Sequence, residues 1–356
     1  MLEGAHGDSR ASGEGWRCAA SSPFRTILRG NERPRGDGVT TTLTPTERYD
    51  PRQLTARLRA VVSRPDDRRL VLRCKRDDAS NKTMAWLRLY YPGVRTLATA
   101  EVAGCNSSCR TCWSSLSHRY PTSEMVDDLV QRGGARFLTG TETADRLARL
   151  ARGNSNVQQR ITGAEPTITP QWLMDFLSRS LAIGRHVALE TNGLDLGYDP
   201  VLADQLVRLL EPQRHQVRIT SHFLAPTKEA LLANTLLVAD AYSRNLDGIA
   251  ALERIGGEHH RVLLAWLPGT EDGEARYDAW LAALSEFREE LVERSIDPLG
   301  LELRPLRPFR GAVSEMRRNG LEVSRGRMAS DFLLAVRAWC ALVPGYRLPF
   351  RWPGVY

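Results

Sequence analysis

The sequence predicts an α/β fold on a largely parallel sheet, and two observations predict it. Six strand-like segments follow one another between Thr96 and Leu306, each succeeded by sequence of helical period. Such a succession makes the strands parallel, because each crossover helix returns the chain to the same end of the sheet. The second observation is length, since 356 residues suit one α/β barrel with a terminal extension.

The elements follow in order. Residues 1–49 are rich in Gly, Ser, Arg, Thr and Pro, with little to bury, and predict a mobile N-terminal segment. Asp50-Pro51 opens a helix carrying Leu54, Leu58 and Val61 at helical spacing to about Ser63. Arg69–Cys74 alternates as a short strand and Trp86–Tyr91 reads as another, so residues 50–95 form a lead-in layer. The core spans 96–306. Its strands are Thr96–Gly104, Gln159–Thr162, His186–Thr191, Gln216–Ser221, Arg261–Leu267 and Gly300–Leu306. Its helices are Ser123–Gln131 with Ser123 as N-cap, Thr141–Arg152, one opened by Thr169-Pro170, Pro200–Leu210, Lys228–Ile255 and Ala275–Arg294. Residues 307–356 add a C-terminal helix, about Met328–Leu342, and a tail. Trp266, Trp280 and Trp339 fall in apolar patterns and read as core.

Composition narrows the function classes. The net charge of +7 and pI near 9.3 invite a polyanionic partner such as RNA. Lysine occurs only at Lys75, Lys82 and Lys228, however, and the arginines are spread along the chain without a basic stripe and interleaved aromatics. Six cysteines, three of them in one loop, do not form a secreted disulfide framework and predict a reducing, cytoplasmic setting. No apolar run approaches the ~20 residues needed to cross a bilayer, which predicts no membrane partner.

The chemistry gathers around Gly104–Trp113, where Cys105, Cys109 and Cys112 form a C-x3-C-x2-C run after a strand. Three thiolates closing on one point can ligate three irons of a four-iron cubane and leave the fourth open. Zinc accepts clustered thiolates too, and would call on Cys74 or His118 to complete a tetrahedral shell. Active residues of parallel α/β folds lie at the C-terminal ends of strands, where the cysteine loop, Glu165 and Asn192 all fall. Arg218, Thr220 and His222 alternate onto one face of the fourth core strand. His259-His260 reads as a loop pair at the start of a strand rather than a metal site. Cys340 has no cysteine neighbours to build an auxiliary cluster.

These motifs resemble those of the radical S-adenosylmethionine superfamily. Cys105-x3-Cys109-x2-Cys112 is similar to its cluster motif, Thr162-Gly163-Ala164-Glu165-Pro166 to its Gly-Gly-Glu-Pro motif, and Glu190-Thr191-Asn192-Gly193 to a frequent ending of its third strand. Within the superfamily the chain looks closest to glycyl-radical-activase-like and uncharacterised archaeal proteins. The resemblance covers about Thr96–Leu306. It implies a partial (β/α)6 TIM-like barrel, a 4Fe-4S cluster on the three cysteines and S-adenosyl-L-methionine as second cofactor. The activity implied is reductive cleavage to a 5′-deoxyadenosyl radical that abstracts a substrate hydrogen. A flavodoxin- or ferredoxin-like electron donor is implied as partner, and the substrate is left open among proteins, peptides, RNA and small molecules. Glu165 and Gly163 would meet the cofactor's amino group, with Thr191, Asn192, Thr220 and His222 lining its pocket. The sequence departs from the pattern at Ala164, where a second glycine is usual, and at Thr111, where an aromatic is frequent; Trp113 supplies the nearby ring. The alternative is a non-catalytic zinc- or RNA-binding protein on the same barrel.

Overall fold

A computed structural model describes residues 47–78, 96–112, 114, 116–152, 154, 156–269, 271–306, 316 and 324–347. The chain divides into Met1–Gly38 and Val39–Tyr356, and every described residue belongs to the second unit. The segment expected to be mobile lies outside the described residues up to position 46, as do the strand predicted at Trp86–Tyr91 and Trp113.

Helix α1 (Pro51–Val62) starts where the Asp50 carboxylate accepts the Arg52 amide and Pro51, which has no N–H to satisfy, takes the first position. Its buried stripe is Leu54, Leu58, Val61 and Val62. The two-residue strand Ser63–Arg64 then turns back on β1 (Arg68–Asp78). Strand β1 continues past the predicted end at Cys74 because it pairs antiparallel with β2 (Thr96–Val102) as far as Asp78, and Lys75 ion-pairs Glu101 across that ladder at 2.8 Å.

After β2, helix α2 (Ser123–Gln131) is capped by Thr122, not by the expected Ser123: the Thr122 hydroxyl accepts the Met125 amide. A three-residue strand without a sequence signature, β3 (Arg136–Leu138), pairs antiparallel with β1. Helix α3 (Gly140–Leu150) begins in a reciprocal capping box between Thr139 and Glu142.

The chain then alternates through β4 (Gln158–Thr162), α4 (Pro170–Ala182), β5 (Val187–Thr191), the short α5 (Leu194–Tyr198), α6 (Pro200–Leu210), β6 (Val217–Phe223), α7 (Lys228–Asn234), α8 (Ala241–Glu253), β7 (Glu258–Ala265), α9 (Gly273–Glu293) and β8 (Leu301–Pro305), before α10 (Arg325–Leu342). Strands β2, β4, β5, β6, β7 and β8 are successive neighbours and all parallel, within a nine-stranded sheet. The protein is therefore a mixed α/β fold whose mostly parallel sheet is flanked by helices.

Two expectations need correction. The helical span Lys228–Ile255 is broken between Asn234 and Ala241, because that stretch pairs with other loops: Arg110 N donates to Asn234 O at 2.8 Å and Tyr49 N to Leu236 O at 2.7 Å. His259 and His260 lie inside β7 rather than in a loop. They do point to opposite faces, His259 bonding Ser221 and Glu253 while His260 bonds Glu302 and Glu258. Polar residues sit in this strand because each finds a partner.

The faces of the sheet differ in kind. Val187, Leu189, Val217 and Ile219 pack with Trp172, Phe176, Leu202 and Leu206 from α4 and α6. Leu263, Ala265, Leu301 and Leu303 do the same with Trp280, Phe287 and Trp339 from α9 and α10. On alternate positions, and so on the opposite face, stand Arg160, Glu190, Arg218, His222, Glu302 and Arg304. Arg160 pairs with Glu190 at 2.7 Å and Arg218 with Glu258 at 2.7 Å.

Helices α5 and α8 approach so closely that glycine is required at their crossing. A Cβ on Gly248 would stand 1.9 Å from Gly193 O, and one on Gly197 1.9 Å from Arg244 O. Gly248→Ala is expected to destabilise the fold by about 1–3 kcal/mol through overpacking. The check is urea unfolding, where the midpoint should fall at unchanged slope; a wild-type midpoint would mean the helices part freely.

Candidate cofactor site at the strand ends

The cysteine loop leaves the C-terminal end of β2, the Gly163–Pro166 loop that of β4, and Asn192-Gly193 that of β5. Hydrogen bonds join all three. Glu165 N donates to Gly104 O at 3.0 Å and the Ser114 hydroxyl to Gly163 O at 3.1 Å, while Asn192 Nδ2 reaches Asn106 Oδ1 at 2.9 Å. Gly163 has φ 101°, and a Cβ there would lie 3.0 Å from Val102 O, so this position needs glycine. Ala164 is not among the positive-φ residues, so its backbone carries the methyl without strain.

Glu165 is 2% exposed and bound from four directions. Its Oε1 accepts Thr167 N at 3.1 Å, Thr167 Oγ1 at 2.8 Å and Thr191 Oγ1 at 2.7 Å, and its Oε2 accepts Asn192 N at 2.7 Å. Behind it lies Asp195, whose Oδ1 accepts from Thr55 Oγ1 at 2.8 Å and Asn106 Nδ2 at 2.9 Å. The Thr167 hydroxyl also stands 2.8 Å from Asp195 Oδ2. A hydroxyl has one proton, so it cannot donate to both carboxylates. Both contacts hold together when Asp195 carries a proton on Oδ2, donates it to Thr167 Oγ1, and Thr167 donates to Glu165. Burial raises both carboxyl pKa values, and the neighbouring Asp195 raises that of Glu165 further.

A cation holds the assembly from below. Arg69, 0% exposed on β1, donates to the carbonyls of Ala103 (3.1 Å), Glu165 (2.6 Å) and Pro166 (2.6 Å) and to Thr169 Oγ1 at 2.8 Å. Burial lowers its pKa to about 10, so it stays charged at neutral pH. Helix α1 completes the frame: besides Thr55, its Arg59 donates to Ile168 O at 2.6 Å.

Within the cysteine loop, Ser107 Oγ lies 3.2 Å from Cys105 Sγ and 3.4 Å from Cys109 Sγ, and Ser114 N donates to Cys112 Sγ at 3.4 Å. Burial pushes the thiol pKa of Cys105 up to about 12 and that of Cys109 to about 11, so metal binding there would displace protons. Among the described residues no three His, Cys, Asp or Glu side chains are gathered into a ready metal-binding group. The donor set fits a metal–sulfur group in its chemistry: three thiols on one loop, amide and hydroxyl donors to sulfur, and the buried Arg119 guanidinium, whose Nε and Nη2 have no hydrogen-bond partner. Cys74 is opposite Ala100 in the antiparallel ladder and packs on the helix-facing core, on the side of the sheet away from Glu101.

The other predicted residues are farther from this hub. Asn245 Nδ2 bridges Asn192 O at 2.6 Å and His222 O at 3.1 Å, so β6 is tied to the site through its backbone. Burial brings the His222 pKa down to about 4, leaving a neutral imidazole near Glu190, Arg304, Glu302 and Arg160. Thr220 is buried on the same face, two residues earlier, whereas Arg218 sits at the opposite end of the strand in its pair with Glu258.

Sequence reasoning missed Thr55, Arg69, Asn106, Arg119, Thr167 and Asp195. Two signals pointed to four of them: an arginine opening the apolar run Leu70-Val71-Leu72, and the polar Asn106, Thr167 and Asp195 one to three places from a motif residue; Thr55 and Arg119 carried neither. Neither a scan against protein-family models nor a search of curated proteins finds a match for this chain.

Proposed function

We propose that the chain is a radical S-adenosylmethionine enzyme built on a partial (β/α)6 barrel. The observation that carries this reading is the hydrogen-bonded union of the cysteine, Gly-Ala-Glu-Pro and Thr-Asn-Gly loops at the ends of three successive parallel strands. Crossover helices packed on one face of the sheet, against a charged opposite face, support barrel-type curvature over a doubly wound sheet, which carries helices on both faces.

In this reading Cys105, Cys109 and Cys112 hold a 4Fe-4S cluster, and its open iron with S-adenosyl-L-methionine supplies a 5′-deoxyadenosyl radical for hydrogen abstraction. The chain's own residues position that chemistry. Gly163 allows close backbone approach. Glu165 brackets the loops while keeping an acceptor position on Oε2 for the cofactor's ammonium group. Thr191, Asn192, Thr220 and the neutral His222 line the neighbouring strand ends. A flavodoxin- or ferredoxin-like donor supplies the electron. Of the two residues that could complete a closed zinc shell, Cys74 packs on the helix-facing core, which leaves His118 as the candidate.

Anaerobic reconstitution is expected to load iron and sulfide in equal amounts, and dithionite to give 5′-deoxyadenosine from S-adenosyl-L-methionine. Cys109→Ala should lose both. Unchanged yield in that variant, or stoichiometric zinc without iron, overturns the proposal.

A further inference from the structure

The cysteine loop is spanned by a buried cation that has no ion-pair partner among the described residues. Arg119 ends the helical turn Leu116–Arg119 and is 2% exposed. Its backbone carbonyl accepts the Cys105 amide at 2.9 Å, and its Nη1 donates to Cys109 O at 2.7 Å, so it spans the loop from first cysteine to second. Its Nε and Nη2 are buried without hydrogen-bond partners, although a guanidinium N–H in the interior ordinarily finds an acceptor. Among the described residues no carboxylate lies within ion-pairing distance of it. Its guanidinium carbon stands 5.5 Å from the centre of the Tyr120 ring. Among the described residues, the sulfurs of the loop that Arg119 spans are acceptors of the kind these two N–H groups lack.

We infer that Arg119 is a positioning residue that donates N–H···S hydrogen bonds to the metal-bound sulfur of the cysteine loop and raises the reduction potential of the group held there. This rests on the cluster reading of Cys105, Cys109 and Cys112. A fixed cation beside the group favours its reduced, more negative state, and hydrogen bonds to sulfur act in the same direction.

The test is the midpoint potential of the reconstituted protein, followed by EPR during redox titration. Arg119→Met keeps the length of the side chain and removes its charge and donors. At the wild-type midpoint its ratio of reduced to oxidised cluster is expected to fall about tenfold, a shift of about 59 mV to more negative potential for one electron. Arg119→Lys, which restores charge without the planar fork, should recover part of the shift. In wild-type protein labelled with heavy nitrogen in its arginines, pulsed EPR of the reduced cluster should show a nitrogen coupling that Arg119→Lys removes. This measurement decides the matter if Arg119→Met does not fold. Equal potentials at equal cluster content, or no arginine coupling, overturn the inference and leave the cluster reading standing. A wild-type protein that takes up no iron and sulfide overturns both.

Discussion

Arg69→Met is expected to destabilise the protein by about 2–4 kcal/mol and, on the cluster reading proposed above, to lower the iron it takes up on reconstitution. The guanidinium reaches three backbone carbonyls and one hydroxyl in two loops that local sequence cannot hold together. Methionine refills most of the volume, so the loss is not chiefly a cavity term. It leaves buried acceptors at Ala103, Glu165 and Pro166, each worth about 1–3 kcal/mol when unpaired. Part of this is offset because the variant no longer buries a charge, a cost visible in the lowered Arg69 pKa of about 10. Urea unfolding measures the stability, and iron content after reconstitution measures the site. Arg69→Lys should not rescue it, because one ammonium cannot serve four acceptors spread across two loops. A full rescue by lysine would mean that charge, not the fork geometry, holds the loops.

What could be seen in the sequence was local in origin. The βα alternation shows because burial on one face imposes period two on strands and helical period on the crossovers. Helix α6 was bounded correctly at Pro200–Leu210 because Asp199 and Pro200 mark its start within three residues, Asp199 accepting the Leu202 amide. The three motifs were visible because their residues are contiguous. What escaped was set by partners distant in sequence: Thr55 and Asp195 are 140 positions apart, and Arg69 lies 96 before Glu165. The break after Asn234 belongs to the same class. Leu231–Val238 is apolar enough to continue a helix, but its backbone serves Arg110 and Tyr49 instead. The motif residues could thus be named from sequence, while the residues that orient them could not.

Glu165 and Asp195 are expected to respond oppositely to the same chemical change. At Glu165 both oxygens accept backbone amides, from Thr167 and Asn192, so the amide nitrogen of Glu165→Gln must face one N–H donor. The expected loss is about 2–4 kcal/mol, combining that clash with the loss of charge-assisted bonds. In Asp195→Asn the carbonyl keeps Thr55 and Asn106, and the amide nitrogen donates to Thr167 Oγ1 as the protonated carboxyl does. Its stability near neutral pH should stay within about 1 kcal/mol of wild type. The pair also sets a pH dependence. Both folded pKa values are raised, so the native state holds more protons than the unfolded chain between the ordinary carboxylate range and the raised values. Stability from this pair is present in full below the unfolded pKa, near 4, and is lost as pH rises through the folded one, with a slope of up to about 1.4 kcal/mol per pH unit for one proton. The difference in unfolding free energy between wild type and Asp195→Asn, measured by urea titration from pH 4 to 8, isolates this contribution from the ion pairs elsewhere. That difference should move in favour of the variant as pH rises; a constant difference would show that Asp195 is ionised in both states and that Thr167 serves only one of its two carboxyl neighbours.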